Sequence, residues 1–385
     1  MLHAGYTLSE VMDVSEVQVY KPVLDKQVKL VVNGLKVYFP LRRSFIEALM
    51  MKPRLFVKAV DEVSFDVRDG EVFALAGESG CGKTTTGKAV LKLVETTAGS
   101  TYYLPSRSIM EDNQYYPLYK KVSEYGHIDL QAVPDKLFKP LRRDIQMIWQ
   151  DPYGSLNPRR TIFEILSEAL EIHDVGATKS EREDIVAKAL EEVKLTPASE
   201  FMGRYPHMLS GGQRQRVVIA RALILKPSFI VADEPVSMLD VSIRAEILQL
   251  MMELKKLHGL TYLFITHDLA LARYISNRIA VMYLGKIVEL GDARRVIENP
   301  NHPYTKALVE AIPEPNPERR HVIKEPSIKG EVPSPINVPT GCRFHPRCVA
   351  LDQHPELEEL CKKKEPPLIE IEPGRYVACW LYTKK

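Results

Sequence analysis

The sequence predicts an α/β fold built on a parallel sheet, and three stretches carry that reading. Val72 to Ala76 is a short apolar run bounded by glycines, the mark of a buried strand, and a helical segment follows from Thr85 to Leu93. Phe229–Ala232 and Tyr262–Ile265 are two further apolar runs. Between them Ile243, Ile247, Leu250, Leu254 and Leu257 fall at steps of four, three, four and three, one face of a helix. Strand, helix and strand in that order imply parallel pairing with both sheet faces covered. Beyond Gly291 the composition changes: Pro300, Pro303, Pro313, Pro326 and Pro339 interrupt any long element and mark a loop-rich extension over 291–385.

Taken in order, residues 1–27 have no strong period and read as a loosely docked arm. Val28–Val32 opens the folded part, which runs to residue 290. The polar segment from 99 to 140 holds Tyr102, Tyr103, Tyr115, Tyr116, Tyr119 and Tyr125; it reads as a peripheral insertion, its tyrosines as half-buried β surface. Ile145–Trp149 is the next strand, stopped at Asp151 and Pro152. Residues 160–207 are helical by pattern, which puts a separate helical lobe at about 151–210.

At 385 residues and 45% hydrophobic content, the chain is long enough for more than one domain. No apolar run reaches the ~18 residues of a membrane span. Met1 to Tyr6 lacks the basic-then-apolar order of a secretory leader. A net charge of +2 gives no footprint for nucleic acid. The expectation is an intracellular protein that meets a membrane only through a partner.

The chemistry is concentrated between Gly77 and Asp240. Gly77, Glu78, Ser79, Gly80, Cys81, Gly82, Lys83, Thr84 and Thr85 follow a strand and open a helix. Glycines let the backbone curl its N–H groups inward, and the helix start adds a positive end, so the loop suits phosphate. Lys83 is expected to reach the β and γ phosphates, and the Thr84 hydroxyl to ligate Mg²⁺. Asp233 ends an apolar strand, where ligands gather in open α/β sheets, and would hold the metal. Glu234 beside it is the candidate general base. Leu209, Ser210, Gly211, Gly212 and Gln213 precede a helix and offer free N–H donors with a hydroxyl, a second anion site.

That order and spacing, over roughly residues 28–290, resembles the ATP-binding-cassette (ABC) ATPases. The resemblance implies a RecA-like parallel-sheet core, an antiparallel β subdomain and a helical subdomain. It also implies that two subunits sandwich ATP between the phosphate loop of one and the Leu209–Gln213 segment of the other. Gln150 then matches the loop that links the nucleotide to the membrane partner and also touches the metal. His267 matches the histidine on the γ phosphate, and Asp240 lies in the loop that communicates across the interface. For stacking on adenine Tyr38 fits best by spacing, with Phe39 next and Phe56 third.

Five cysteines are unevenly placed: Cys81 in the phosphate loop, and Cys342, Cys348, Cys361 and Cys379 near the C-terminus. Spacing alone does not spell a metal site, because no C-x₂-C pair is present. The segments Gly330–Pro335, Gly341–Cys348 and Val377–Cys379, with His302–Leu308, resemble the C-terminal extension of the oligopeptide/dipeptide importer ATPases. The resemblance implies a [4Fe–4S] cluster on the four cysteines; zinc, with His345 as a ligand, and no metal at all are the alternatives. Val349 stands where the family usually has proline, and the gap from Cys348 to Cys361 is longer than usual. The wording of 330–335 and the long Phe39-to-Phe56 insertion look most like the F-type of two unlike ATPases. Implied partners are a D-type ATPase, two membrane permeases and, indirectly, an extracellular substrate-binding protein, at the cytoplasmic face of the cell membrane. The cargo is expected to be peptide, with oligosaccharide as a rival. One phosphate loop, a single Leu209–Gln213 segment and no sustained heptads argue against a soluble ATPase of ribosomes or DNA, and the extension argues against an exporter.

Overall fold

The computed structural model describes residues 18–41, 55–111, 119, 122–312 and 328–383. Most of the N-terminal arm, most of the insertion between Phe39 and Phe56, Tyr115, Tyr116 and the prolines from Pro313 to Pro326 lie outside the described residues.

Two sheets build the chain. β1 (Val28–Pro40), β2 (Phe56–Arg68), β4 (Ala98–Tyr103) and β5 (Ile128–Asp129) form an antiparallel sheet in the order β2-β1-β4-β5. The larger sheet is centred on β3 (Val72–Ala76), which is followed by α1 (Lys83–Val90). β6 (Ile145–Ile148), β7 (Phe229–Asp233), β8 (Thr261–Thr266), β3 and β9 (Arg278–Tyr283) are parallel neighbours in the order β9-β3-β8-β7-β6. The helical lobe carries α2 (Ile162–Ile172), with a Thr161–Glu164 capping box, and α3 (Lys179–Glu192). It leads into α4 (Gly211–Leu223), and α5 (Val241–His258) joins β7 to β8.

The period of two along each strand decides which layer covers it. Ile230, Ala232, Tyr262 and Phe264 belong to one core with the lobe, α4 and α5. Phe229, Val231, Leu263 and Ile265 belong to the other, with α1 and the antiparallel sheet. All eight are fully buried, and each Phe, Val, Leu or Ile side chain among them stabilises by roughly 1.5–3 kcal/mol.

The sequence reading is adjusted at three places. Gly99 to Tyr103 is not peripheral: it is part of β4, and Tyr103 is wholly buried, donating to the Asp144 carboxylate at 2.7 Å. On α5, Ile247, Leu250 and Leu254 face the core, whereas Leu257 in the last turn is 68% exposed. Leu260, beyond the left-handed turn at Gly259, takes its place in the core. The C-terminal extension also continues the large sheet. β10 (Lys286–Asp292) pairs antiparallel with β9, and a hairpin of β11 (Ile369–Glu372) and β12 (Arg375–Val377) adds to it through Glu289↔Val377 and Leu290↔Tyr376. Fully buried Glu289 accepts the N–H of Asn301 (3.0 Å) and His302 (2.9 Å) and faces Arg375 at 3.3 Å. Burial nonetheless pushes its carboxyl above the usual range. Among the described residues no helix is long and apolar enough to cross a membrane.

Candidate functional site

Four adjacent strands deliver the functional side chains from their C-terminal ends, the edge where open parallel sheets bind ligands. β3 runs into the phosphate loop, β8 into His267, β7 ends on Asp233 and Glu234, and β6 leads to Gln150. Two glycines fix the loop. A Cβ on Gly77 (φ +149) would stand 2.2 Å from the Met282 carbonyl, and one on Gly82 (φ +107) 2.2 Å from that of Ala59. No other residue fits either position.

Lys83 opens α1 and is buried, its Nζ donating to the Gly77 carbonyl at 2.7 Å and the Glu78 carbonyl at 2.9 Å. Cys81 is buried as a neutral thiol, its Sγ 3.7 Å from that ammonium, and burial raises its pKa. The Thr84 hydroxyl donates to Asp233 Oδ1 at 2.8 Å. Burial raises the Asp233 pKa, the Thr84 hydrogen bond opposing it. Thr84 and Asp233 thus present hard oxygen donors side by side, as Mg²⁺ requires. Glu234 takes a left-handed backbone (φ +44), and its N–H is held by the Ile265 carbonyl at 2.9 Å. Its Oε2 accepts from Gln150 Nε2 at 2.9 Å and lies 3.0 Å from His267 Nδ1. Three groups far apart in sequence therefore meet on one carboxylate oxygen. The loop, including Ser79, Gly80 and Thr85, floors an open cavity of about 620 Å³ whose walls include Gln150, Glu234, His267 and Leu308.

Other expected site residues lie apart from that cavity. Ser210 caps α4 in a capping box, its Oγ accepting from Gln213 N–H at 3.3 Å while Gln213 Oε1 accepts from Ser210 N–H at 3.0 Å. Gly211 and Gly212 form the first turn, Asp240 is the exposed residue before α5, and none of this group lines the phosphate cavity. Tyr38 does not line it either. Its hydroxyl donates to Asp61, which is also paired with Arg343. Burial works to raise the Asp61 pKa, but Tyr38, Lys286 and Arg343 outweigh it and hold the carboxyl below its usual range. Neighbouring Phe39 is 41% exposed.

The four C-terminal cysteines converge. Cys342, Cys348, Cys361 and Cys379 line one small cavity of about 20 Å³, walled by Phe344, Trp380 and other apolar side chains, and the Cys342 N–H donates to the Cys361 carbonyl at 2.7 Å. Burial pushes the Cys342 thiol up to about 12 and that of Cys361 to about 11, and raises Cys348 and Cys379 as well. Among the described residues no group of three or more His, Cys, Asp or Glu is placed to hold a metal ion, so neither the iron–sulfur cluster nor the zinc expected from the sequence gains support here. His345 turns Nδ1 to the Cys342 carbonyl at 2.8 Å.

Residues 60–237 match the family described as ABC transporter, and 288–353 match the oligopeptide/dipeptide transporter C-terminal region. The chain is 42% identical to the oligopeptide transport ATP-binding protein AppF of Bacillus subtilis, over 92% of this chain and 97% of that one. The chain belongs to the ABC transporter ATPases, in their oligopeptide/dipeptide branch. This ATPase is also 44% identical to the dipeptide transport ATP-binding protein DppF of Haemophilus influenzae, over 90% and 94% of the two chains. Its fold is similar to the dimeric structure of MJ0796, a bacterial ABC transporter cassette (TM-score 0.54, 26% identity, covering 69% of this chain and 99% of that one). Family membership makes it an ATP-binding enzyme whose hydrolysis is coupled to transport.

Three contributors to the site carry no sequence signal of that role. Leu308 lines the cavity, the Tyr304 hydroxyl accepts the Glu78 N–H at 2.8 Å, and Arg347 grips the Glu78 carboxylate with two nitrogens at 2.9 and 3.3 Å. All three come from the C-terminal extension.

Proposed function

We propose that this ATPase powers the import of oligopeptides or dipeptides as an F-type subunit. It pairs with a D-type ATPase at the cytoplasmic face of the membrane, on two permeases supplied by an extracellular substrate-binding protein. One observation carries the reading: the groups that handle water and phosphate converge in one cavity, while the Ser210–Gln213 helix start, the second phosphate binder, lies outside it. A second subunit is needed to bring such a helix start to this cavity. AppF and DppF are both named for peptide transport, which favours peptide over oligosaccharide.

In this mechanism Lys83 and the loop N–H groups would hold the β and γ phosphates, and Thr84 with Asp233 would hold Mg²⁺. An ion held by these two oxygens would supply Lewis-acid stabilisation of the charge on the phosphate oxygens. Glu234 accepts a proton from the attacking water as oxygen bonds to the γ phosphorus and the bond to ADP breaks. Gln150 and His267 fix the Glu234 carboxylate through Oε2 and line the path of the water. Tyr38, or Phe39 beside it, stacks on adenine. Asp240 sits at the edge that meets the second ATPase. In the extension, Cys342, Cys348, Cys361 and Cys379 would hold a [4Fe–4S] cluster whose role is to tie the loops together, and iron with acid-labile sulfide in anaerobically purified protein is the expected assay result.

The experiment is ATP hydrolysis by the complete complex in lipid with its binding protein. Stimulation by mixed peptides and not by mixed oligosaccharides supports the reading, and the reverse overturns the cargo assignment.

A further inference from the structure

The segment between the first two C-terminal cysteines sends two arginines toward the nucleotide-binding half of the molecule. Arg343 reaches Asp61 and the Leu284 carbonyl, and Arg347 reaches Glu78. Phe344 between them is 1% exposed and wedged against Tyr283, Tyr304 and His302 at ring separations of 5.3, 5.5 and 5.7 Å, so this segment is anchored in the core. Glu78 is an awkward residue for its place. It is the second residue of a loop that must hold a polyanion, and a carboxylate there repels what the loop binds. Its backbone is already committed, the N–H to Tyr304 and the carbonyl to Lys83, so the residue cannot turn away without disturbing the lysine. Arg347 is 7% exposed, and its side chain is further held by stacking over the Tyr283 ring at 5.8 Å.

We propose that Arg347 is a positioning residue for ATP. It neutralises Glu78 and, with Tyr304, holds the phosphate loop in its binding shape, so the C-terminal extension completes the nucleotide site from outside the cassette. The inference rests on reading Gly77–Thr85 as the ATP phosphate loop.

The test is equilibrium binding of a fluorescent ATP analogue, with kcat and KM, in the full-length chain carrying R347M, R347K, E78Q or R347M with E78Q. R347M is expected to weaken binding about tenfold, one unneutralised like charge at this range, with most of the effect in KM. R347K keeps the charge without the two-pronged grip and falls between R347M and the unaltered chain. The decisive arm is the double variant: with Glu78 neutral, loss of Arg347 should no longer matter, and binding should return to within about threefold of E78Q alone. A merely structural role predicts the opposite, a double variant at least as weak as R347M, and that result overturns the proposal, as does unchanged binding in R347M. K83A separates the two readings. If it binds nucleotide as well as the unaltered chain, the phosphate-loop reading has failed rather than the role of Arg347.

Discussion

Glu234 concentrates the chemistry at the residue scale, because Gln150 and His267 both address its Oε2. Glu234→Gln keeps the shape and removes the base. Hydrolysis should fall 10²- to 10⁴-fold while ATP stays bound, as measured by single-turnover kinetics and retained nucleotide. Glu289 has the opposite task, a structural carboxylate with no exposure. Arg375→Met leaves it buried without its cation and should cost about 3 kcal/mol in denaturant unfolding. The sign of the pH dependence follows from its raised pKa. The folded protein holds this proton more tightly than the unfolded chain, so stability is greatest below the ordinary glutamate range and is lost as pH rises through the folded value. Losing Arg375 raises the folded value further, so the variant's deficit should be larger at pH 8 than at pH 5.

At the scale of elements, the buried strands were the most legible part. β3, β7 and β8 are short runs with every residue buried, and the apolar stretches Val72–Ala76, Phe229–Ala232 and Tyr262–Ile265 within them show it in the sequence. The groups at their ends were equally readable, because each follows its strand directly. Helix starts were less so: α1 begins at Lys83 rather than Thr85, since Gly82 serves as its cap. The β12 pairing was hidden, as a strand of three residues has too little length to show alternation. Nothing local announces that Arg347 meets Glu78 across 269 residues of chain. Phe344 tests whether the extension and the cassette are one packed unit. Phe344→Ala removes a side chain shared by three rings and should destabilise by about 3–5 kcal/mol, with one unfolding transition for the whole chain. Two separate transitions would show that the extension melts by itself.

For the whole molecule, the proposed pairing with a second ATPase would make assembly part of the enzyme cycle, since the Ser210 helix start does not line the phosphate cavity. A Cβ at Gly211 meets nothing nearer than Leu239 Cδ2 at 3.5 Å, so Gly211→Asp should fold normally. Under the proposed two-subunit mechanism it places a negative charge where the second subunit's nucleotide would dock. ATP binding to this chain's own loop should persist, while ATP-driven association with the second ATPase, read by light scattering in the Glu234→Gln background, should be lost.

The pairing of β12 on β10 has a consequence for how the chain is made. The five parallel strands are complete once residue 283 has been synthesised, and β10 follows within ten residues, but its outer edge gains a partner only at residues 375–377. During that interval the ribosome holds a cassette with an open, hydrogen-bond-hungry border, the kind that recruits stray strands. A chain cut before residue 375 would therefore leave the outer edge of β10 unpaired and is expected to aggregate rather than persist as a slightly weaker ATPase.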